Sequence, residues 1–227
     1  MKFTILTLFP DMIRTVLGES IIGRAQKKGA IEIEAYNIRD YTANKQKQVD
    51  DYPYGGGSGM VMQCQPIYDC FKAATADLSQ KPHTIYMSPQ GKILTQDKVR
   101  QLSRYEHLVI LCGHYEGVDE RVLEEIVDEE ISIGDYVLTG GEMPACVLVD
   151  SVARMIDGVL RCEEAYESES LYSGLLEYPQ YSRPEIWNGK RVPEVLLSGH
   201  HKNIETWRAE MSLKRTKEKR PDLLKEK

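Results

Sequence analysis

With 227 residues, 41% of them hydrophobic and 28% charged, and a mean hydropathy of −0.42, the chain has a globular composition, which excludes the disordered and membrane-spanning classes. Its length suits one large domain, or a catalytic domain with a small appendage. The net charge of −6 counts against wholesale nucleic-acid binding, because neutralising phosphates takes Lys and Arg.

Pro10 and Asp11 stop the apolar run in MKFTILTLFPDM too early for a signal peptide or a membrane span. It reads as a buried first strand, Lys2–Leu8, in a cytoplasmic protein. A helical stretch, Glu19–Lys28, closed by Gly29, and a second alternating β-prone run, Ile31–Tyr36, complete a β-α-β opening. Next comes a glycine-rich loop, Asp50-Asp51-Tyr52-Pro53-Tyr54-Gly55-Gly56-Gly57-Ser58-Gly59-Met60. Without a Gly-Lys-Ser/Thr ending it cannot hold a triphosphate as a P-loop does. Two readings stay open: a flexible surface loop, or a backbone that approaches a nucleotide closely because glycine has no Cβ.

Three further strands are predicted at Thr84–Met87, Leu108–Cys112 and Glu130–Ile133, with helices at Gln96–Arg104 and Val118–Val127 between them. Strands alternating with helices imply an α/β fold, a mostly parallel sheet with helices on both faces. Ligands of such sheets gather at the loops leaving the strands' carboxyl ends, and each of these three strands ends in a glycine or proline turn. The turns are Ser88-Pro89-Gln90-Gly91, Gly113-His114-Tyr115-Glu116-Gly117, and Ile133-Gly134-Asp135-Tyr136-Val137-Leu138-Thr139-Gly140-Gly141-Glu142-Met143-Pro144, where a helix opens. Exposed backbone in the third turn can read an adenine edge while Ile133 and Leu138 cover its faces.

Five cysteines, Cys64, Cys70, Cys112, Cys146 and Cys162, form no C-x-x-C pair; this argues against a zinc site or a disulfide framework and for reduced, mostly buried thiols. Nine acidic residues between Glu116 and Asp135 match no calcium-loop spacing and read mainly as a solvated helix face. The polar, acidic run Glu163–Ser173 reads as a mobile linker. After it, residues 180–227 carry 12 Lys and Arg against 7 Asp and Glu, where the preceding residues carry 17 against 28. An acidic chain can thus present a basic face, here on an amphipathic helix predicted over Asn203–Lys219.

The strings DDYPYGGGSGM, SPQG, LCGHYEGVDER, IGDYVLTGGE and SRPEIWNGKRVPEVLLSGH resemble, in order and spacing, the bacterial tRNA (guanine-37, N1) methyltransferases of the SPOUT superfamily, from residue 1 to about residue 225. The resemblance implies a deep trefoil knot, which no pattern argument would predict. It also implies three parts: a knotted catalytic domain over 1–162, an interdomain linker over 163–176, and a small helical basic tRNA-binding domain over 177–227. The expected activity is methyl transfer from S-adenosylmethionine to N1 of guanosine 37, in a homodimer whose active sites use both subunits. By the same resemblance the cofactor pocket comprises Tyr86, Ser88, Pro89, Gly113, Tyr115, Glu116, Ile133, Gly134, Asp135, Tyr136, Val137, Leu138, Gly140, Gly141 and Pro144.

Guanine N1 carries a proton at neutral pH, so transfer needs a base at N1 and a donor at O6. The resemblance places Arg154 at O6 and Glu169 as the base; Glu169 stands where the family has aspartate, one methylene longer. The tRNA-binding candidates are Lys202, Arg208, Lys214, Arg215, Lys217 and Arg220, and the target base must come from an unpaired anticodon loop or be flipped out. Magnesium dependence in the family makes a cation near the substrate an expectation without assigned ligands. Three other readings stay open: a SPOUT enzyme for another RNA site, a catalytically silent RNA-binding protein, and a nucleotide-binding regulator using the GGGSG loop.

Overall fold

The structure, a computed structural model, describes residues 1–160, 169–172 and 174–224. The chain divides into two compact units, Met1–Leu160 and Arg161–Lys227. Cys162 and half of the expected linker, residues 163–168 and Ser173, lie outside the described residues.

In the first unit, β1 (Lys2–Thr7), β2 (Glu32–Asn37), β5 (His83–Ile93), β6 (His107–Cys112) and β7 (Glu129–Ser132) form one sheet in the order β2-β1-β6-β5-β7. Every neighbouring pair is parallel, as the alternation of strands and helices implies. Alternate residues pack on opposite faces. Phe3, Ile5, Ile85, Met87, Leu108 and Ile110 meet apolar residues of three helices, α1 (Pro10–Leu17), α2 (Ser20–Lys27) and α6 (Glu142–Ala153). Leu6, Tyr86, Val109 and Leu111 meet α3 (Cys64–Ala74) and α5 (Glu120–Ile126) on the other face. With α4 (Gln96–Leu102) on the first face through Val99 and Leu102, both faces of the sheet are covered.

Two helices of this unit have no counterpart in the sequence reading. In α1, Pro10 stands at the first helical position, where its missing N–H is no loss; this proline opens a helix instead of merely ending the strand, and Ile13 and Leu17 bury one face. In α3, Ile67, Cys70 and Phe71 recur at helical spacing. The Ser88–Gly91 segment also differs from expectation: it lies inside β5, as a register jump between Met87 and Lys92 along β7, and does not end the strand. Gly91 permits the resumed pairing, because a Cβ there would strike the Glu130 main chain. The glycine-rich loop is the tip of a small antiparallel hairpin between β3 (Asp50–Asp51) and β4 (Val61–Met62). The four described cysteines are free, and Cys70, Cys112 and Cys146 are buried.

The second unit holds a hairpin, β8 (Ile186–Trp187) and β9 (Lys190–Arg191), a short helix α7 (Glu194–Leu197) and a long one, α8 (His201–Lys219). The hairpin turns on Asn188 and Gly189, both at positive φ, the signature of a two-residue turn with left-handed residues. Ile204, Trp207, Met211 and Arg215 form the half-buried stripe of α8. The Leu176 amide donates to the Thr216 hydroxyl at 2.9 Å, which ties Leu176, expected in the linker, to this unit.

The amino-terminal edge of the sheet carries an ionic cluster. Asp128 accepts from Lys81 at 2.7 Å and from the Thr84 amide at 2.8 Å, while Glu129 accepts from Lys98 at 2.7 Å and contacts His83 at 2.7 Å. Burial pushes both carboxyls up, but these donors outweigh it and hold both below the ordinary carboxylate range. A depressed folded value gives stability that is present above the unfolded pKa and lost as pH falls through the folded one. Urea unfolding followed by circular dichroism is therefore expected to lose stability on acidification from about pH 5 to pH 3, with a shallower loss in Asp128→Asn.

Candidate active site

The residues after β6 and β7 and the irregular stretch of β5 enclose a cleft of about 250 Å³. It lies where open parallel sheets bind ligands, beyond the carboxyl ends of the strands. Of the residues expected in the pocket, Tyr86, Ser88, Pro89, Gly113, Tyr115, Glu116, Ile133, Gly134, Tyr136, Val137, Leu138, Gly140, Gly141 and Pro144 all line it. Asp135 is exposed and is not among the lining residues. The sequence reading did not single out Gln90, His114 and Thr139, which also line the cleft; their signal was position, since each sits inside a turn already marked by glycine or proline.

Close main-chain contact builds the cleft. The Gly141 amide donates to the Gly113 carbonyl at 2.9 Å, and His114 and Gly140 form an antiparallel bridge. A Cβ on Gly141 would stand 2.8 Å from Cys112 Cα and 2.9 Å from the Gly113 nitrogen, so only glycine lets these chains touch. On Gly113 a Cβ would stand 2.7 Å from the Tyr86 hydroxyl oxygen. Burial pushes the Tyr86 phenol up to about 12, so it stays a protonated donor at neutral pH. The wall combines apolar Ile133, Leu138 and Pro144 with polar Ser88, Glu116 and main-chain groups, a mixture that suits a nucleoside-sized ligand bearing an apolar face and a polar edge.

The second turn is also tied to the glycine-rich hairpin. The Glu116 amide donates to Met60 O at 3.0 Å and the Met62 amide to Gly117 O at 2.9 Å. Tyr115, with φ of 59°, holds a left-handed conformation uncommon outside glycine, and its hydroxyl accepts from the Arg39 guanidinium at 3.1 Å. Tyr52 and Tyr54 at the hairpin tip are exposed.

Arg154 is not brought to this cleft. It caps the carboxyl end of α6, whose amino end closes the cleft, and a 12-residue helix spans about 18 Å. Glu169 belongs to the second unit. On α8, Lys202, Lys214 and Lys217 are exposed, while three expected RNA contacts have partners within their own unit. Arg208 lies over the Tyr178 ring at 4.9 Å, Arg215 donates to Glu177 O at 3.4 Å, and Arg220, just beyond the helix, pairs with Asp222 at 2.7 Å. Among the described residues no group of three or more His, Cys, Asp or Glu is placed to hold a metal ion, and no helix is long and apolar enough to cross a membrane.

A doubly covered parallel sheet with a glycine-walled cleft at its carboxyl edge defines an α/β protein built to bind a nucleotide-like ligand. A family model described as tRNA (Guanine-1)-methyltransferase TrmD matches residues 1–226, and the chain belongs to that family of enzymes. It is 65% identical to a tRNA (guanine-N(1)-)-methyltransferase of Ruminiclostridium cellulolyticum over 223 residues, which cover 98% of this chain and 96% of that protein. It is similarly related to proteins of the same name from Lachnospira eligens, at 56% identity over 100% of this chain and 96% of that one, and from Clostridioides difficile, at 54% over 99% and 98%.

Because the Gly141 clash is with main chain and the Gly113 clash with one side chain, Gly141→Ala is expected to be the more damaging substitution. Denaturant unfolding should show a loss of about 1–3 kcal/mol for Gly141→Ala and a smaller loss for Gly113→Ala, whose Tyr86 neighbour can shift.

Proposed function

We propose that the chain transfers a methyl group from S-adenosylmethionine to N1 of guanosine 37, beside the tRNA anticodon, in the cytoplasm. The observation that carries this reading is the cleft itself. Residues that the family's pocket implies, drawn from two turns and the irregular stretch of β5, meet around one cavity in a chain that belongs to the family over its length. The finer fold expectations, a trefoil-knotted path and a basic RNA-binding second unit, belong to the same proposal.

The donor, when bound, supplies an electrophilic sulfonium methyl. The chain's residues do the rest. Main-chain groups of Val137 to Gly141 would meet the donor's adenine edge and Ile133 and Leu138 would cover its ring, with Tyr86 and Ser88 lining the same cleft. Glu169 takes the N1 proton, which leaves the nitrogen lone pair free to attack. Arg154 meets the charge that develops on O6 with fixed donors. Its place at the far end of α6 supports a site in which the cleft of one subunit works with Arg154 of another. Apolar side chains support the same homodimer: Phe9, Met12 and Val16 at α1 and Met143 and Val147 on α6 are exposed, and apolar surface of that kind marks an interface. Among the described residues the carboxylates form no group placed to hold magnesium.

Incubation with labelled donor and undermodified tRNA is expected to yield 1-methylguanosine on nucleoside analysis; a different methylated nucleoside, or none, would overturn the assignment. Glu169→Gln should abolish transfer while calorimetry shows unchanged donor affinity. The affinity for tRNA should fall steeply with salt, and alanine at Lys202, Lys214 or Lys217 should each reduce the log–log slope by about one.

A further inference from the structure

Glu142 is 3% exposed and Thr7 is fully buried, and neither has a role in the reaction described above. A carboxylate taken out of water is costly unless it is paired or hydrogen-bonded, so its persistence at this point calls for a purpose. Glu142 is the first residue of α6 and directly follows Gly140 and Gly141 of the cleft wall. Its Oε1 accepts from the Thr7 hydroxyl at 2.8 Å, and the Thr7 hydroxyl oxygen accepts in turn from the Phe9 amide at 2.9 Å. A Cβ on Gly140 would stand 2.5 Å from Glu142 Oε2 and 2.7 Å from the His114 ring, so the second carboxylate oxygen and the imidazole flank the same backbone atom. The Phe9 ring closes the group from the other side, 5.1 Å from the His114 ring.

We infer that Glu142, through Thr7, is a positioning residue for the methyl-donor site. The chain Phe9 N–H to Thr7 hydroxyl to Glu142 carboxylate fastens the end of β1 beneath Gly140 and His114, and so sets the third turn of the cleft against the second. The acid belongs at that point because the first turn of a helix favours negative charge, and a hydrogen bond to a buried charged acceptor is among the stronger ones. Thr7 supplies that bond from the sheet, so the register of β1 is passed to the cleft wall by one side-chain contact.

This inference rests on the cleft being the donor site, and the test separates the two. Wild-type protein titrated with S-adenosylmethionine by calorimetry must bind; if it does not, the reading of the cleft fails, not that of Glu142. Given binding, Thr7→Val, which keeps shape but removes the donor, and Glu142→Ala are each expected to raise the donor Kd about tenfold, the scale of one buried hydrogen bond to a charge. The double variant should be no worse than either single one, because both break the same link. Thr7→Ser, which restores the hydroxyl, should return the Kd to within about twofold of wild type. In turnover, the donor KM should rise while kcat and the tRNA KM stay near wild type. If Glu142→Ala fails to fold, Thr7→Val and Glu142→Gln decide. Folded variants that bind the donor as wild type does, additive losses in the double variant, or a stability loss without a change in Kd would each overturn the inference.

Discussion

The Gly141 amide bonded to the Gly113 carbonyl at 2.9 Å is the contact on which the cleft depends. The two turns it joins leave β6 and β7, and β5 stands between those strands in the sheet, so ladder hydrogen bonds cannot hold the turns together. Main chain meeting main chain does so instead, and it requires that Gly141 carry no Cβ, which would strike the Cys112 and Gly113 main chain. The His114–Gly140 bridge extends the same contact by one residue. The bonds from the second turn to Met60 and Met62 then carry it to the glycine-rich hairpin, so the cleft wall and the hairpin form one connected rim.

Beneath this rim the sheet behaves as a parallel sheet buried on both faces should. Phe3, Ile5, Leu6, Ile85, Leu108, Ile110 and Leu111 are fully buried, and close packing of that kind leaves little freedom for the strand ends to drift. The thiols in this interior are held as neutral groups: burial pushes Cys70 up to about 12 and Cys146 up to about 11, and Cys112 well above its ordinary value. They are packing residues, inert for the same reason that they are buried. Apart from the buried Glu142, the charges named here lie at edges and surfaces, with Asp128 and Glu129 paired at the amino end of the sheet and Lys202, Lys214 and Lys217 exposed on α8.

The parallel strands were legible because a strand buried on two faces must be apolar along its length, and the runs at Lys2, Thr84 and Leu108 are. The acidic residues of α5 were legible as a solvated face for the complementary reason: Glu120, Glu124 and Glu125 are exposed while Val122, Leu123 and Ile126 are buried. Helix α1 was hidden by Pro10, which reads equally as a stop and as a first helical residue. The β8–β9 hairpin did carry its own signal in Asn188-Gly189, but with two-residue strands the alternation around it was too short to register.

By itself, the order of residues determined which segments are the strands of the main sheet, which turns are rich in glycine, and which family the chain resembles, because each of these depends on side-chain type at local spacing. Only the tertiary structure decided that the Ser88 segment bends within β5, that Arg154 stands a helix-length away from the cleft, and that a buried glutamate and threonine meet under its floor. Those outcomes depend on contacts between residues as far apart as Thr7 and Glu142, and such contacts exist only once the sheet has brought distant segments side by side.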